Sequence, residues 1–431
     1  MKRKIIALIA VFILISSLAV YADAPEISAP NAILVDASNG LALYEKESGE
    51  KVYPASTTKI LTAIIAIEKC NLEDTATASF EAINSIDIDS SKVGLYEGEE
   101  MTCKDLIFSL LIASANDAAN VLAEHISGST SEFASLMNEK AEEIGAHNSH
   151  FENPHGLHSE NHYTTASDMA KIAMYAMKLP LFAEAVSAET YTIPATNKSD
   201  KRELKTTNYL LLPKSRYYYK YATGIKTGHT KDAGYCLISS GDYEGTELIC
   251  AVFGTKMTED GTTQSFEDSR TLLRYGLGKL SPVPIIQKST IICDAPLRSS
   301  ISDKIILESE STVNRVLPEG VSPENLERRD FVNENISAPI KAGEVLGHSE
   351  YWLKDTKVAE TNLVSVEEYK YVPLAFIVRP IYKMFKSAVF YIILAIIIIF
   401  LIFCAYVRAE RKRRRMERRR KMREKQRMQR R

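Results

Sequence analysis

Three short groups of residues in this chain have the types and spacing for nucleophilic catalysis. Ser56-Thr57-Thr58-Lys59 opens a helical pattern, Ser114-Ala115-Asn116 falls between two more, and Lys226-Thr227-Gly228 precedes a β-prone run. On a helix, residues three apart share a face with Cβ atoms roughly 5 to 6 Å apart, so Lys59 can reach the Ser56 hydroxyl. A helix N-terminus at Ser56 would add unpaired backbone N–H groups and the positive end of the helix dipole, both of which favour the negative charge of acyl transfer. Lys59 acts as a base only when neutral, and burial beside Ile60 together with a second cation, Lys226, would lower its pKa. Ser114 could then pass a proton to a leaving amine while Asn116 holds a substrate amide. Singly, each group has a bland reading: a helix N-cap, a helix-helix turn, a surface strand end. Their joint order, each on a suitable element, argues for chemistry.

These groups need a scaffold, and the pattern along the chain supplies one. Residues 32–36 and 41–45 are β-prone around Ser38-Asn39-Gly40, where Asn-Gly predicts a hairpin. Residues 56–69, with Ile60, Leu61, Ile64, Ile65 and Ile67, predict a largely buried helix. Further helices are expected over 104–113 behind Thr102-x-x-Asp105, over 117–126, over 131–144, and from Thr165-x-x-Asp168 to about Lys178. Strands follow over 234–240 and 247–253, then a helix over 266–277. Strands at the ends and helices in the middle describe an α/β body whose sheet is assembled from distant segments. Leu280-Ser281-Pro282-Val283-Pro284 breaks the chain like a linker, and the short alternating runs of residues 286–375, with a turn at Lys341-Ala342-Gly343-Glu344, predict a small β domain.

The ends carry topological information. The 431 residues hold 53 Lys and Arg against 55 Asp and Glu, a net charge of -2. Residues 408–431 hold 15 Lys and Arg against 3 Glu, and Lys2, Arg3 and Lys4 add three more cations. Setting these ends and Asp23 aside leaves 35 basic and 51 acidic residues, net -16, over 24–407. Lys2 to Lys4, the apolar run 5–20 and the small residues around Ala22 and Ala24 read as a secretory signal peptide over residues 1–24. Residues 388–407 are free of charge for 20 positions, enough to span a hydrocarbon core of about 30 Å. The basic run after them places the tail, residues 408–431, in the cytoplasm and the acidic body outside. Arg411 to Arg415 and Arg418 to Lys421 suit anionic lipid headgroups, and no nucleic acid partner is expected.

Six cysteines are too sparse for a disulfide framework. Cys236 and Cys250 are each seven residues from Tyr243, so a hairpin could set them opposite one another within disulfide range, although two buried free cysteines in a sheet is the favoured reading. Five of the eight histidines, His147, His150, His155, His158 and His162, crowd into 16 residues and invite a zinc reading. No carboxylate or cysteine completes a recognisable ligand set, so a polar surface loop beside the active site is preferred, with no metal and no cofactor.

Ser-x-x-Lys, Ser-x-Asn and Lys-Thr-Gly in this order resemble the penicillin-binding proteins and serine β-lactamases. Tyr53-Pro54-Ala55-Ser56-Thr57-Thr58-Lys59, Asn153-Pro154-His155-Gly156-Leu157 with Tyr163-Thr164-Thr165-Ala166, and Gly224-Ile225-Lys226-Thr227-Gly228-His229-Thr230 with Ala233-Gly234-Tyr235 narrow the resemblance to the low-molecular-mass D-alanyl-D-alanine carboxypeptidases of peptidoglycan metabolism, serine peptidase family S11. It covers about residues 25–280 and, more weakly through Ala338-Pro339-Ile340 and 342–347, the β domain over 286–375. The resemblance implies a transpeptidase-like α/β domain, an antiparallel sheet with helices, followed by a small all-β domain and the transmembrane helix. It implies Ser56 as the acylated nucleophile, Lys59 as its base, and Ser114 and Asn116 as the second catalytic pair. Lys226 and Thr227 would bind the terminal carboxylate of a peptidoglycan stem peptide, with Gly228 beside them and the backbone N–H groups of Ser56 and His229 as the oxyanion hole. β-Lactams would be covalent inhibitors. No Glu-x-x-Leu-Asn loop lies between Asn116 and Lys226, which argues against rapid penicillin hydrolysis. A D,D-endopeptidase using the same residues and a non-catalytic β-lactam or peptidoglycan sensor are the rival readings. Many relatives are held by an amphipathic helix rather than by a full span.

Overall fold

A computed structural model describes residues 24–87 and 89–428; the leader expected over residues 1–24 therefore lies almost wholly outside the described residues. The chain divides into two compact units. One holds the chain up to Ile285 with residues 314–328 and 350–359, and the other holds residues 286–313, 329–349 and the remainder from 360.

The first unit is built on a five-stranded sheet. Strands β1 (Asn31–Asp36) and β2 (Ala42–Lys46) form the Asn-Gly hairpin. The helical region follows: a 3-10 turn at Ala55–Thr58, α1 (Lys59–Lys69), β3 (Thr75–Thr77), α2 (Phe80–Asn84), β4 (Glu100–Thr102), α3 (Cys103–Ile112), α4 (Asn116–Ser127), α5 (Thr130–Ile144), α6 (Ala166–Met177) and α7 (Pro180–Ser187). A small hairpin of β5 (Thr190–Ile193) and β6 (Arg202–Lys205) precedes the long strands β7 (Ala222–Thr230), β8 (Gly234–Tyr243) and β9 (Thr246–Thr255), and α8 (Gln264–Arg274) ends the pattern. The sheet order is β2-β1-β9-β8-β7 with antiparallel pairings, so the two ends of this stretch of chain meet in one sheet.

Local chemistry explains the helix boundaries. The Thr102, Ser129 and Thr165 side chains accept hydrogen bonds from the backbone N–H of Asp105, Glu132 and Asp168, capping α3, α5 and α6. Gly128 and Gly145 end α4 and α5 in the left-handed conformation. In α1, Lys59 through Ala66 are all buried, the signature of a helix surrounded on every side. Burial of each Ile or Leu there contributes about 1.5 to 3 kcal/mol before entropy is counted.

Three details differ from the sequence expectations. The helix expected from Ser56 begins as an α-helix only at Lys59, because Ala55 takes φ +48° and the Thr57 N–H closes onto the Pro54 carbonyl at 3.2 Å. Lys226-Thr227-Gly228 lies inside β7 rather than before a strand, since pairing with β8 runs from Ala222 to Thr230. Cys236 and Cys250 are not cross-strand partners: the β8–β9 turn centres between Glu244 and Gly245, so Cys250 faces Ser239, and both thiols are free and buried.

A second five-stranded sheet runs in the order β11-β12-β16-β15-β14, from β11 (Ile291–Pro296), β12 (Lys304–Ser309), β14 (Glu327–Val332), β15 (Val345–Leu353) and β16 (Thr356–Ser365); β10 (Val283–Ile286) and β13 (Val313–Arg315) form a separate pair. The turn at Lys341 to Glu344 closes through the Glu344 N–H on the Lys341 carbonyl at 3.2 Å. Helix α9 (Ala375–Lys386) leads to α10 (Ala388–Met428), which is long and apolar enough in its first half to cross a membrane.

Candidate active site

The three motif groups converge on one cleft of about 610 Å³, lined among others by Ser56, Ser114, Asn116, Thr227, Gly228 and His229. Lys59 and Lys226 stand behind this lining, 0% and 1% exposed. The 3-10 turn presents Ser56, and the first residue of α1 presents Lys59, whose Nζ donates to Ser56 Oγ at 2.9 Å. A second donation from Lys59 Nζ, at 2.6 Å, goes to the backbone carbonyl of His155. Ser114 sits between α3 and α4 with φ +60°, a sparsely populated backbone state that costs on the order of 1 to 3 kcal/mol. That bend aims Ser114 Oγ at Lys226 Nζ, 2.9 Å away, and starts α4 at Asn116. Thr227 Oγ1 is hydrogen-bonded to Thr207 Oγ1 at 2.7 Å.

Two glycines permit this assembly. A Cβ on Gly228 would lie 3.1 Å from both Pro54 O and Ser56 N, so any larger residue would press edge strand β7 away from the turn that carries Ser56 by a few tenths of an ångström. Gly156, at φ +86°, passes so close to Ala55 that a Cβ would overlap its carbonyl.

Burial sets the protonation states. Lys59 is pushed well below the usual lysine range, chiefly by loss of water and secondly by the Lys226 cation, with Asp117 opposing. Burial brings Lys226 down to about 7. Both shifts favour the free base.

The histidine-rich loop does not form a metal cluster among the described residues; it supports Lys59. His162 Nδ1 accepts from the Glu152 N–H at 3.1 Å, so its Nε2 carries the proton and donates to Thr58 Oγ1 at 2.8 Å. Burial lowers His162 to about 4 and His155 to about 3, the latter also disfavoured by Lys59. Sequence reasoning placed His155 in the loop but missed that its carbonyl grips Lys59, because a backbone acceptor leaves no residue-type signal. It also missed Thr207 and the Asp117 carboxylate, whose Oδ1 accepts from Val93 N–H at 3.0 Å and whose Oδ2 accepts from Gly94 and Leu95 at 2.9 and 3.1 Å.

Comparison with known proteins identifies the family. Residues 19–257 match the model of the Peptidase_S11 family, D-alanyl-D-alanine carboxypeptidase, and residues 281–371 match the C-terminal domain of penicillin-binding protein 5. The chain is 30% identical over 348 residues to D-alanyl-D-alanine carboxypeptidase DacF of Bacillus subtilis, covering 79% of this chain and 86% of that protein. It is 28% identical to D-alanyl-D-alanine carboxypeptidase DacD of Escherichia coli, over 85% of this chain and 95% of that one. The crystal structure of penicillin-binding protein 5 from Haemophilus influenzae superposes with a TM-score of 0.62 at 28% identity, covering 81% of this chain and 99% of that chain. With over half of its residues inside the family's model, the chain belongs to the D-alanyl-D-alanine carboxypeptidases of peptidase family S11.

Proposed function

We propose that the protein is a penicillin-sensitive serine D,D-carboxypeptidase that removes the terminal D-alanine of peptidoglycan pentapeptide stems through an acyl-enzyme on Ser56. The observation that carries this reading is the buried Lys59 Nζ, 2.9 Å from Ser56 Oγ and depressed in pKa. Neutral Lys59 takes the Ser56 proton as Oγ attacks the carbonyl carbon of the penultimate D-alanine. The N–H groups of Ser56 and His229 stabilise the oxyanion. Ser114, linked to Lys226, relays a proton to the departing D-alanine amine, and water then hydrolyses the ester. Lys226 and Thr227 hold the terminal carboxylate, whose charge restores a proton to Lys226 and so keeps the neighbouring Lys59 neutral. Asn116 Oδ1, buried without a hydrogen-bond partner among the described residues, accepts from a substrate amide N–H.

The first half of α10 crosses the membrane with the catalytic unit outside, and the basic residues that open its second half meet anionic headgroups on the cytoplasmic face. The chemical reading is tested by incubating the full chain in detergent with a pentapeptide muropeptide and a crosslinked dimer and following products by mass spectrometry. D-Alanine release is expected. Cleavage of the dimer alone would make the enzyme an endopeptidase, and inertness toward both would leave a sensor. Ser56→Ala is expected to abolish turnover and any covalent penicillin adduct.

A further inference from the structure

Cys70, Cys103 and His125 take no part in the cleft, yet they converge from three helices. Cys70 follows the last residue of α1, Cys103 is the first residue of α3, and His125 lies in the last turn of α4. Their Sγ and ring nitrogen atoms all lie within 4.8 Å of one another. Cys103 is fully buried, Cys70 half-buried and His125 exposed, so the group is closed on its inner side and open to solvent on the other.

The backbone holds this arrangement firmly. The Asp74 carbonyl accepts from Cys103 N–H at 2.9 Å and the Leu72 carbonyl from Lys104 N–H at 3.0 Å, which clamps the turn after Cys70 to the start of α3. The Cys70 N–H in turn donates to Ala66 O at 3.0 Å.

Two sulfurs and one imidazole form a donor set suited to a borderline-soft divalent cation with tetrahedral preference. With metal–sulfur and metal–nitrogen bonds of about 2.3 and 2.0 to 2.1 Å, tetrahedral donor atoms stand about 3.5 to 3.8 Å apart, so small side-chain rotations suffice to close the group. We propose that Cys70, Cys103 and His125 form a Cys2His site for a zinc-class divalent cation, with a solvent-facing fourth position. Binding replaces the two thiol protons, which leave to solvent, by two metal–thiolate bonds. The site ties the C-terminal ends of α1 and α4 to the N-terminus of α3. At their other ends, about 14 to 16 Å away at 1.5 Å per residue, α1 and α4 carry Lys59 and Asn116. Its role is to hold those helices in register, not to enter the reaction.

Cobalt(II) is the probe, added to the reduced full chain in detergent. One equivalent is expected to give a thiolate-to-cobalt charge-transfer band with tetrahedral ligand-field absorption, reversed by Zn2+. Cys70→Ser and His125→Ala should lose that band. Zn2+ should raise the melting midpoint of the parent protein and leave that of His125→Ala, an exposed substitution with little folding risk, unmoved. Penicillin labelling of Ser56 reports separately that each variant is folded. The absence of a band at one equivalent would overturn the site, as would its persistence in both variants. A Cys70–Cys103 disulfide by mass spectrometry, together with no cobalt uptake after reduction, would overturn it in favour of a redox pair.

Discussion

Basic side chains occupy two opposite environments in this molecule. In the catalytic unit, Lys59 and Lys226 are withdrawn from water and held by Ser56 Oγ, Ser114 Oγ and two backbone carbonyls. Along the second half of α10, Arg411 to Lys421 are nearly all exposed, with Arg414 to Glu410 at 3.1 Å and Arg413 to Glu417 at 3.6 Å as single-turn ion pairs. Such exposed pairs contribute only a few tenths of a kcal/mol each. The first environment strips a proton from the amine and so makes a base. The second leaves the charge solvated and usable only through its field. Basic side chains thus become a reagent or a counterion source according to whether they can give up a proton and how much water surrounds them.

The largest test of that contrast is at Lys59. Lys59→Met should cut penicillin acylation of Ser56 by about 10² to 10⁴-fold, the ordinary contribution of a general base. Lys59→Arg keeps the cation but cannot give up its proton, so it should be equally inactive; substantial activity there would break the contrast. Next in size is Lys226→Met. Removing the neighbouring cation raises the pKa of Lys59, so the acidic limb of the acylation profile should move to higher pH, and KM for a peptide with a free carboxylate should rise. A smaller effect concerns acid stability. His155 and His162 are held below their ordinary value of 6.5, at about 3 and about 4, so the unfolded chain binds protons that the folded one refuses. Stability from these groups is complete above pH 6.5 and falls as pH drops toward 4, by about 1.4 kcal/mol per pH unit for each histidine. Chemical denaturation at several pH values measures it, and His162→Asn should flatten the slope. Smallest of all, truncation after Val407 should leave turnover in detergent unchanged while abolishing salt-sensitive attraction to anionic vesicles.

Much of this was readable from residue types. The Thr102 and Thr165 caps sit before apolar periodic runs, and the starts of α3 and α6 followed from them to within a residue. The Asn-Gly hairpin of β1 and β2 and the apolar span were equally local signals. What escaped depended on distant partners. Lys226 and Gly228 looked like a strand approach because Lys and Gly are depleted in strands, whereas pairing with β8 draws them into β7. The disulfide geometry considered for Cys236 and Cys250 required a turn centred on Tyr243; the left-handed pair Glu244 and Gly245 moves the centre and with it every cross-strand neighbour. The β5–β6 hairpin and α7 were not anticipated, although Pro180 in the first turn of α7 and Pro194 and Asn197 between β5 and β6 were local signals. In the cleft, Ser56, Lys59, Ser114, Asn116 and Lys226 were all nominated by motif. The carbonyl of His155 and the imidazole of His162 were not, since their contribution is positional.

The last helix carries a consequence of its own length. At 1.5 Å per residue, the 41 residues of α10 make a rod of about 60 Å, twice the thickness of a hydrocarbon core. Once the apolar half is immersed, the charged half extends the same axis into water instead of spreading along the headgroups. Electrostatic reach at physiological salt is about 8 Å, or about five residues of helix. Only Arg408 and the first of the following arginines then feel the lipid surface strongly, while the residues beyond them stand clear of it, a stiff cationic mast whose far end meets whatever lies beyond the reach of the bilayer.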